Sequence, residues 1–387
     1  MQHGDTIRLS QGVAKVVTRA ELQNCAAWKR AFQNRCKDHR YYEIVEQTLQ
    51  NDFEHHYLLL EDSSGNVRAI QPVFFVRQNL VEGVRGKIRS AVDRIRKKFP
   101  RFLTMRVLMV GCAAGAGDLG ICNDKDEVWV ARALLATLRT YARQSRASLV
   151  VLKDFPARYR PTLDSLSSNG YARVPSMPMT RLPLHYEEWD EYFGTLSKAT
   201  RKDLRRKFRK VERAPKIDME LTSDVTPYVD EIYPLYVQVH ERSLLRFETL
   251  TKDYFRAMST RMPDRTRFFL WRQGGKIVAF SLCIVCDDAI YDECIGLDYS
   301  VAFELHLYFY TFRDIISWSL QQRLKYYYSN PLNYGPKLHL RCELVPLDLY
   351  VRHTSALLNP AFRRVIKYLG PTRHSRFLRR FPNADQL

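Results

Sequence analysis

Two adjacent carboxylates and a histidine in the second half of the chain could carry proton-transfer chemistry. Asp292 and Glu293 lie in AIYDECIG (289–296), which reads as a strand, so their side chains point to opposite faces. His306 follows at the start of a predicted helix, and an imidazole titrates near neutral pH. Glu293 or His306 could act as a general base, although a histidine on an aromatic helix could equally be a hydrogen-bonded core residue.

The cysteines give weaker evidence for a metal site or a catalytic nucleophile. Cys283 and Cys286 form a CxxC, but three positions apart on a strand their side chains point to opposite faces, and no second pair completes a metal site. We therefore predict no metal. Cys112 and Cys294 occupy similar places in the two halves and could be acyl-enzyme nucleophiles, although buried free thiols are common.

An internal repeat predicts the elements that position these residues. Two strand–turn–strand segments, 56–76 and 267–285, are each followed by a strand, an apolar-striped helix and a buried strand, over 106–155 and 289–331. Helical stretches at 20–34, 197–213 and 225–245 precede the hairpins. The order predicts a mixed α/β fold of two tandem domains, 1–180 and 181–387, each a mixed sheet flanked by helices.

The second half resembles the GNAT fold of N-acyltransferases. The tandem version resembles the FemAB-like group, which includes peptidoglycan biosynthesis or recognition proteins and BioF2-like acyltransferases. Gly335, Lys337 and Pro346 match the family's pattern of a glycine turn, a lysine and a closing proline, and His306 matches a histidine of some members. The resemblance is carried by SKATRKDLRRKFRKVE (197–212), DRTRFFLWRQGGKIVAFSL (264–282), YDECIGLDYSVAFELHLYFYTFRDIISWSL (291–320) and NYGPKLHLRCELVP (333–346).

The resemblance implies transfer of an acyl or aminoacyl group from a thioester or a tRNA ester to an amine. Lys337 could then bind an anionic donor or the oxyanion, or be a solvated surface lysine. Tyr334, Tyr308 and Asn330 could line the acceptor pocket. Arg242 could bind an acidic part of a substrate, or form a surface ion pair with a nearby glutamate.

The same resemblance assigns donor binding to the loop LDYSVAF (297–303). Gly296 ends the preceding strand, and backbone N–H groups near Ser300 and Val301 could bind a pyrophosphate or the neck of a phosphopantetheine at a helix start. The glycine-rich loop of simple GNAT enzymes is absent from the sequence here, so an ordinary strand-to-helix loop is the alternative.

The net charge of +19 is concentrated in three segments. Residues 81–101, 197–213 and 363–380 carry +6, +7 and +7, which leaves the rest of the chain close to neutral. Local basicity of this kind predicts local anionic partners: lipid headgroups, cofactor phosphates, an acidic carrier protein or RNA.

The first of these segments, 81–102, has apolar residues at helical spacing from Val84 to Phe99 and basic residues on its other faces. It falls in an insertion at about 78–104, between the first hairpin and the next strand, which the repeat does not require. We expect a basic amphipathic helix that either lies on an anionic membrane surface or covers the first sheet with its apolar stripe.

Three functions follow as alternatives. The first is an N-acyltransferase that uses acyl-CoA or acyl carrier protein as co-substrate, with no permanently bound cofactor, and a lipid-type amine such as a sphingoid base, or an amino acid, as acceptor. The second is an aminoacyl-tRNA-dependent transferase, which lacks support from any RNA-binding motif. The third is a non-catalytic binding protein. Scattered cysteines, no secretion signal and no apolar run of spanning length predict a cytoplasmic protein, peripheral on the inner face of the membrane if the insertion is an anchor.

Overall fold

The computed structural model describes residues 5–79, 87–99, 104–243, 246–368, 370, 372 and 375–387. Up to residue 176 the elements are β1 Thr6–Leu9, β2 Gly12–Val17, α1 Arg19–Leu22, α2 Ala26–Ala31, α3 His39–Thr48, β3 Glu54–Asp62, β4 Val67–Asn79, α4 Lys87–Arg96, β5 Thr104–Val110, α5 Glu127–Gln144, β6 Leu149–Pro156, α6 Arg160–Ser168 and β7 Ala172–Pro175.

Residues 177–346 form β8 Met179–Pro183, α7 Trp189–Thr195, α8 Lys198–Glu212, β9 Ile217–Thr222, α9 Val229–Arg242, α10 Lys252–Arg261, β10 Thr266–Gln273, β11 Lys276–Cys286, β12 Ala289–Leu297, α11 Leu307–Gln321, β13 Tyr326–Ser329, α12 Tyr334–His339 and β14 Glu343–Val345. The chain then continues through β15 Leu347–His353 and α13 Asn359–Tyr368.

The strands form two mixed sheets. Their orders are β1-β2-β3-β4-β5-β6-β15-β7 and β14-β8-β13-β12-β11-β10-β9. In each sheet a hairpin (β3–β4 or β10–β11) is joined antiparallel to the next strand (β5 or β12), which pairs parallel with the strand after the long helix (β6 or β13). The predicted mixed α/β fold and the internal repeat are confirmed.

The predicted insertion lies where the repeat analysis expects it. In the second sheet, β11 and β12 are joined by the two residues Asp287 and Asp288, whereas in the first sheet 80–103 separate β4 from β5. The predicted helix is present over Lys87–Arg96, while Val84 lies outside the described residues. At the end of the apolar stripe the side chains of Ile95 and Phe99 are 40% and 66% exposed, so this end of the stripe does not cover the first sheet.

The predicted domain boundary needs a correction. The first compact unit is 1–46, 50–176 and 347–373, and the second is 47–49, 177–346 and 374–387. The division near 180 is close to the sequence-based boundary, but β15 returns to the first sheet, where it pairs with both β6 and β7. The carboxylate of Asp348 on β15 is buried there and accepts hydrogen bonds from Arg160 Nε (2.7 Å) and Arg173 Nη1 (2.8 Å).

The helices that precede the hairpins were predicted less accurately in the first unit than in the second. The expected helix at 20–34 is two short helices, α1 and α2, because the Thr18 hydroxyl and the Glu21 carboxylate form a capping box at 18–21 and a new helix starts after Cys25. The helices at 197–213 and 225–245 are confirmed as α8 and α9. Helices α3 and α10 were not predicted.

Candidate active site

Strand β12 parts from β13 halfway along its length. The two strands pair from Ala289–Tyr326 to Asp292–Ser329, whereas β12 continues to Leu297. On the other side of β12, the register with β11 shifts at Cys283, which leaves Glu293 outside the pairing. A bulge where two parallel strands separate re-aims the side chains at that point and opens space between the strand ends.

We call the gap between the diverging ends of β12 and β13 the crevice. Asp292 and Cys294 on β12 and Tyr308 at the start of α11 are each partly exposed, so side chains at this gap are within reach of solvent. The crevice lies wholly within the second unit.

Asp292 is held at the base of the crevice by two hydroxyl groups. The Ser281 hydroxyl donates to its Oδ1, and the Tyr327 hydroxyl donates to its Oδ2 at 2.8 Å. Burial raises the pKa of Asp292, and the two hydroxyl donors and Lys337 partly offset the rise. Ser281 and Tyr327 were missed from the sequence, because both stand in apolar strand segments that read as core.

Glu293, Asn330 and Lys337 form a connected polar chain. The Asn330 side-chain amide donates to the Glu293 carbonyl (2.7 Å) and reaches its carboxylate (3.3 Å). Lys337 donates from Nζ to the Asn330 carbonyl oxygen. Three of the residues predicted for the site are thereby brought together around the crevice.

Lys337 is a buried lysine rather than a surface one. Its side chain is 6% exposed, and burial lowers its pKa to about 8, with Cys342 and Asp292 partly opposing the change. The loop that leads to it is unusual, because Leu332 (φ 79°) and Asn333 (φ 53°) both adopt left-handed backbone conformations. Consecutive non-glycine residues in this region are sparsely populated and are frequent at functional sites.

The two predicted acceptor-pocket tyrosines differ in position. Tyr308 faces the crevice and hydrogen-bonds to Asn333, and burial raises its pKa. Tyr334 is 5% exposed, packs against Leu344 and Phe381, and donates its hydroxyl to the Pro178 carbonyl at 2.8 Å. Tyr334 therefore supports the short helix that carries Lys337.

The first backbone N–H groups of the loop after β12 are already hydrogen-bonded. The Tyr299 N–H donates to Gln238 Oε1, the Ser300 N–H to the Asp298 carboxylate, and the N–H groups of Val301 and Ala302 to the Asp298 carbonyl. Burial opposes ionisation of Asp298, but donors from Lys276 and Ser300 lower its pKa, so an ionised carboxylate sits at the loop. None of these four N–H groups is left to bind a pyrophosphate. The geometry therefore does not support the predicted role of Ser300 and Val301.

Gly296 has a packing role. A Cβ atom at this position would overlap the Phe280 ring and lie 2.9 Å from the Tyr236 backbone nitrogen. Glycine is thus required because α9 crosses β12 closely, and this explains the residue without a cofactor.

His306 and Arg242 lie at other surfaces. Burial lowers the pKa of His306, and the cations Lys207, Lys210 and Arg206 of α8 lower it further, while Asp203 opposes them. Arg242 covers the Tyr299 ring at 4.1 Å from its centroid and donates to the Gln238 carbonyl at 3.0 Å. The contacts of these two residues do not include the Glu293–Asn330–Lys337 chain.

The environment of Cys294 is unfavourable for nucleophilic catalysis. Neither Cys112 nor Cys294 forms a disulfide, and burial raises the pKa of Cys294 well above its ordinary value. Because the thiolate is the reactive form, this environment opposes an acyl-enzyme role for Cys294.

Helix α8 presents a basic surface. Leu204, Phe208 and Val211 bury one side of the helix. The solvent-exposed cations on its other sides are Lys198, Lys202, Arg205, Arg206, Arg209 and Lys210. This face can bind a phosphate-rich molecule.

In the first unit a glycine-rich segment occupies the place that corresponds to the crevice. After β5, the N–H of Gly111 donates to Pro72 of β4, and the N–H of Gly117 donates to Asp154 of β6. A Cβ at Gly117 or Gly120 would overlap the carbonyl oxygens of Lys153 and Ile70. The glycines allow the chain to occupy the space between β4, β5 and β6.

Residues 198–333 match the family model described as Acetyltransferase (GNAT) domain. The match begins with α8, includes β12 and β13, and contains Glu293 and Asn330. This part of the chain is similar to a GNAT acetyltransferase domain. The GNAT part of the predicted resemblance is confirmed for these residues, and Lys337 lies just beyond them.

Two solved structures extend the likeness over both units. One is the C-terminal domain of an Agrobacterium fabrum protein described as a lysylphosphatidylglycerol synthetase, with 12% identity, a TM-score of 0.52, and coverage of 89% of this chain and 97% of that one. The other is FemX, with 10% identity, a TM-score of 0.52, and coverage of 94% and 100%. At these identities the likeness concerns the fold alone, and a shared fold over both units agrees with the predicted arrangement of two tandem domains.

A curated relative is also similar in sequence. A Mycobacterium tuberculosis protein described as 8-amino-7-oxononanoate synthase 2 is 24% identical over 241 residues, which are 62% of this chain and 31% of that protein. The chain thus spans about a third of the length of the curated relatives it matches.

Proposed function

We propose that this transferase moves an acyl group from a thioester donor to an amine held in the crevice of the second unit. The observation that carries the proposal is the chain of contacts joining Glu293 at the β12 bulge, Asn330 and the buried Lys337. It supplies a carboxylate and a cation beside one opening, which are the two groups that acyl transfer to an amine needs.

In this reaction the amine nitrogen attacks the thioester carbonyl, and a C–N bond forms as the carbonyl oxygen gains negative charge. Glu293 takes a proton from the amine, while Lys337 stabilises the oxyanion. The C–S bond then breaks, and the thiolate receives the proton. Glu293 is preferred to His306 as the base, because the charged groups acting on His306 belong to α8.

Asp292 acts as a positioning residue for Glu293 and Lys337. Its carboxylate is bonded to Ser281 and Tyr327 on the neighbouring strands and interacts electrostatically with Lys337. A buried group with two strand-borne donors fixes the spacing of β11, β12 and β13 where the crevice opens. We propose Tyr308 and Asn330 as the acceptor-facing walls, with Tyr334 supporting Lys337 from behind.

The identity of the donor is a separate proposal. The engaged N–H groups at 299–302 and the Asp298 carboxylate disfavour a coenzyme A pyrophosphate at that loop. The exposed cations of α8 fit the donor's phosphates, or an acidic acyl carrier protein, better. His306, beside Lys207 and Lys210, belongs to this surface.

The same surface favours a second candidate function, aminoacyl transfer from tRNA. A helix with six exposed cations suits an RNA backbone, and FemX and the lysylphosphatidylglycerol synthetase domain share the fold. In this version the ester oxygen of the tRNA replaces the thiolate as the leaving group.

The transferase proposal is tested with the Glu293→Gln variant of the full chain. Steady-state transfer is measured with acyl-CoA, acyl carrier protein and aminoacyl-tRNA, each offered with amino acids and sphingoid bases as acceptors. We expect the variant to lose about 10²–10⁴-fold in kcat with whichever donor is active. Glu304→Gln, an exposed glutamate of the same unit, should keep wild-type turnover. Equal activity of Glu293→Gln and wild type would remove the assigned base.

The donor surface is tested by charge removal. Replacing Lys202, Arg209 and Lys210 with Gln should raise KM for a phosphate-bearing donor and flatten the dependence of KM on salt, with little change in kcat. The matched control replaces the exposed α5 residues Arg132, Arg139 and Arg143 with Gln, the same loss of charge. Activity with tRNA alone would favour the second candidate, whereas equal effects of both triples would remove the α8 assignment.

We also propose that the insertion at 81–102 brings the enzyme to an anionic membrane surface from the cytoplasm. The exposed Ile95 and Phe99 and the surrounding cations support it. No helix in the described ranges is long and apolar enough to span a bilayer. A lipid-type amine acceptor would then be reached at the membrane.

A further inference from the structure

Helix α13 carries its apolar residues on the outside. Leu357 and Leu358, just before the helix, are 91% and 58% exposed, and Val365 within it is 55% exposed. Leu358 at the helix start and Ala361 and Val365 within it are spaced three and four residues apart, so they lie on one side of the helix, and all three are exposed. A stripe of this kind normally faces a core.

The other side of α13 is already used for packing. Asn359 is buried, accepts from the His353 N–H (3.0 Å) and donates to the Gly170 carbonyl (2.8 Å). The Phe362 ring lies 5.9 Å from the His353 ring on β15. The helix is therefore fixed on the first sheet by one face, and the exposed apolar stripe is a stable feature of the surface.

The charges around the stripe have one sign. Arg364 is exposed between Ala361 and Val365, and Arg363 and Lys367 are on the same helix. Residues 353–368 contain no Asp or Glu. This segment thus combines protruding aliphatic side chains with local positive charge.

We propose that Leu357, Leu358, Ala361, Arg364 and Val365 form a membrane-contact face that binds an anionic lipid surface. Aliphatic side chains of such a face enter the boundary between headgroups and acyl chains, and the cations stay with the phosphates. A second copy of the chain fits less well, because a symmetric contact through this face would bring like charges together. The face is independent of the insertion at 81–102 and of the crevice chemistry.

The test measures co-sedimentation of the full chain with vesicles of phosphatidylcholine, alone or mixed with phosphatidylglycerol. The triple variant Leu357→Ser, Leu358→Ser, Val365→Ser should bind the mixed vesicles roughly tenfold or more weakly than wild type. Arg364→Gln should weaken binding less and reduce its salt dependence. The matched control is Val128→Ser on α5, whose valine is also 56% exposed, and it should bind like wild type.

A gain-of-binding variant keeps the test informative if the triple variant folds poorly. Val365→Trp should bind the mixed vesicles more tightly, and its fluorescence should shift to shorter wavelength when they are added. Wild-type binding by the triple variant, or no response of Val365→Trp to vesicles, would overturn the proposal. Sedimentation of a wild-type dimer that the triple variant dissociates would assign the face to a second copy instead.

Discussion

The amino group of Lys337 has an environment that sets its protonation near neutral pH. Burial lowers its pKa to about 8, while Cys342 and Asp292 act in the opposite direction. Below that pH the group is an ammonium with three donors, one of which is used by the Asn330 carbonyl. The remaining two N–H groups can donate to an oxyanion. The ammonium group loses a proton and its positive charge as the pH rises.

The expected consequence is an alkaline limb in the pH–rate profile. If the Lys337 ammonium stabilises the oxyanion, kcat should fall as pH rises through about 8. Lys337→Met should lose about 10²–10³-fold in kcat and lack that limb. Lys325→Met, an exposed lysine of the same unit, should keep both rate and profile. An unchanged limb in Lys337→Met would assign the titration to another group.

The same pKa predicts the pH dependence of stability. In the unfolded chain the lysine has its ordinary pKa of 10.5, above its folded value of about 8. Between these values the unfolded state binds the extra proton, so this group makes the free energy of unfolding rise with pH from about 8 to 10.5.

Some residues of the candidate site could be picked out from the sequence because a family motif or a charged residue in an apolar strand marked them. Glu293 is one of two adjacent carboxylates in an otherwise apolar strand, and Lys337 follows Gly335 in the family's pattern, so both were predicted as candidates. Tyr327 and Ser281 were not, because their role comes from strand register, which places them on either side of Asp292. His306 was grouped with Glu293 from its position along the chain, although its charged neighbours are on α8.

Strand β12 depends on the close crossing of α9. Gly296→Ala would push a methyl group into the Phe280 ring and the Tyr236 backbone, so the free energy of unfolding should fall by about 1–3 kcal/mol. Gly194→Ala on α7 is the matched control, because its Cβ would meet no atom within 4 Å, and it should be neutral or stabilising by about 0.5–1 kcal/mol. Urea unfolding of both variants measures the difference, and equal values would show that α9 can move away at no cost.

Strand β15 depends on Asp348. Its side chain is 1% exposed and pairs with Arg160 and Arg173, which are themselves 29% and 38% exposed. Asp348→Asn should cost about 3 kcal/mol, at the lower end for a broken buried pair, because the arginines can hydrate. Glu343→Gln breaks a pair exposed at both ends, Arg181–Glu343, and should cost about 0–1 kcal/mol. Similar losses for both would mean that β15 is held by backbone pairing and apolar contacts alone.

At the scale of elements, periodicity predicted the hairpins, the two long helices and the parallel strands that follow them. The position of β15 was not predictable in this way. LDLYVRH is a short strand segment that could join either sheet. Its partner strands lie about 175 to 200 residues earlier in the chain, a pairing that local pattern does not encode.

The excess positive charge of the molecule lies largely on helix faces that do not pack against the sheets. Helix α8 buries three apolar residues and exposes its cations, and α13 packs by one face and exposes aliphatic and basic residues on the other. The insertion exposes Ile95 and Phe99 beside basic residues. The three basic segments of the sequence thus correspond to one proposed donor surface and two proposed membrane contacts.

Deletion of residues 83–98 tests how far the insertion can be separated from the fold. The second sheet joins the equivalent strands with the two residues Asp287 and Asp288, so β4 and β5 should remain paired when a shorter loop connects them. The melting temperature should therefore stay within a few degrees of wild type. The deletion removes seven cations and one carboxylate, and near an anionic surface each cation contributes about 1 kcal/mol.

We therefore expect the deletion to weaken binding to phosphatidylglycerol-containing vesicles by several orders of magnitude, with a remainder that depends on α13. Combining it with the Leu357, Leu358 and Val365 serine substitutions should add the two losses in free energy, because the contacts are separate. The matched comparison is the α5 triple of Arg132, Arg139 and Arg143, which removes exposed cations elsewhere in the first unit. A deletion variant that unfolds would make the insertion's stripe part of the core, and one that binds vesicles like wild type would leave α13 as the sole proposed membrane contact.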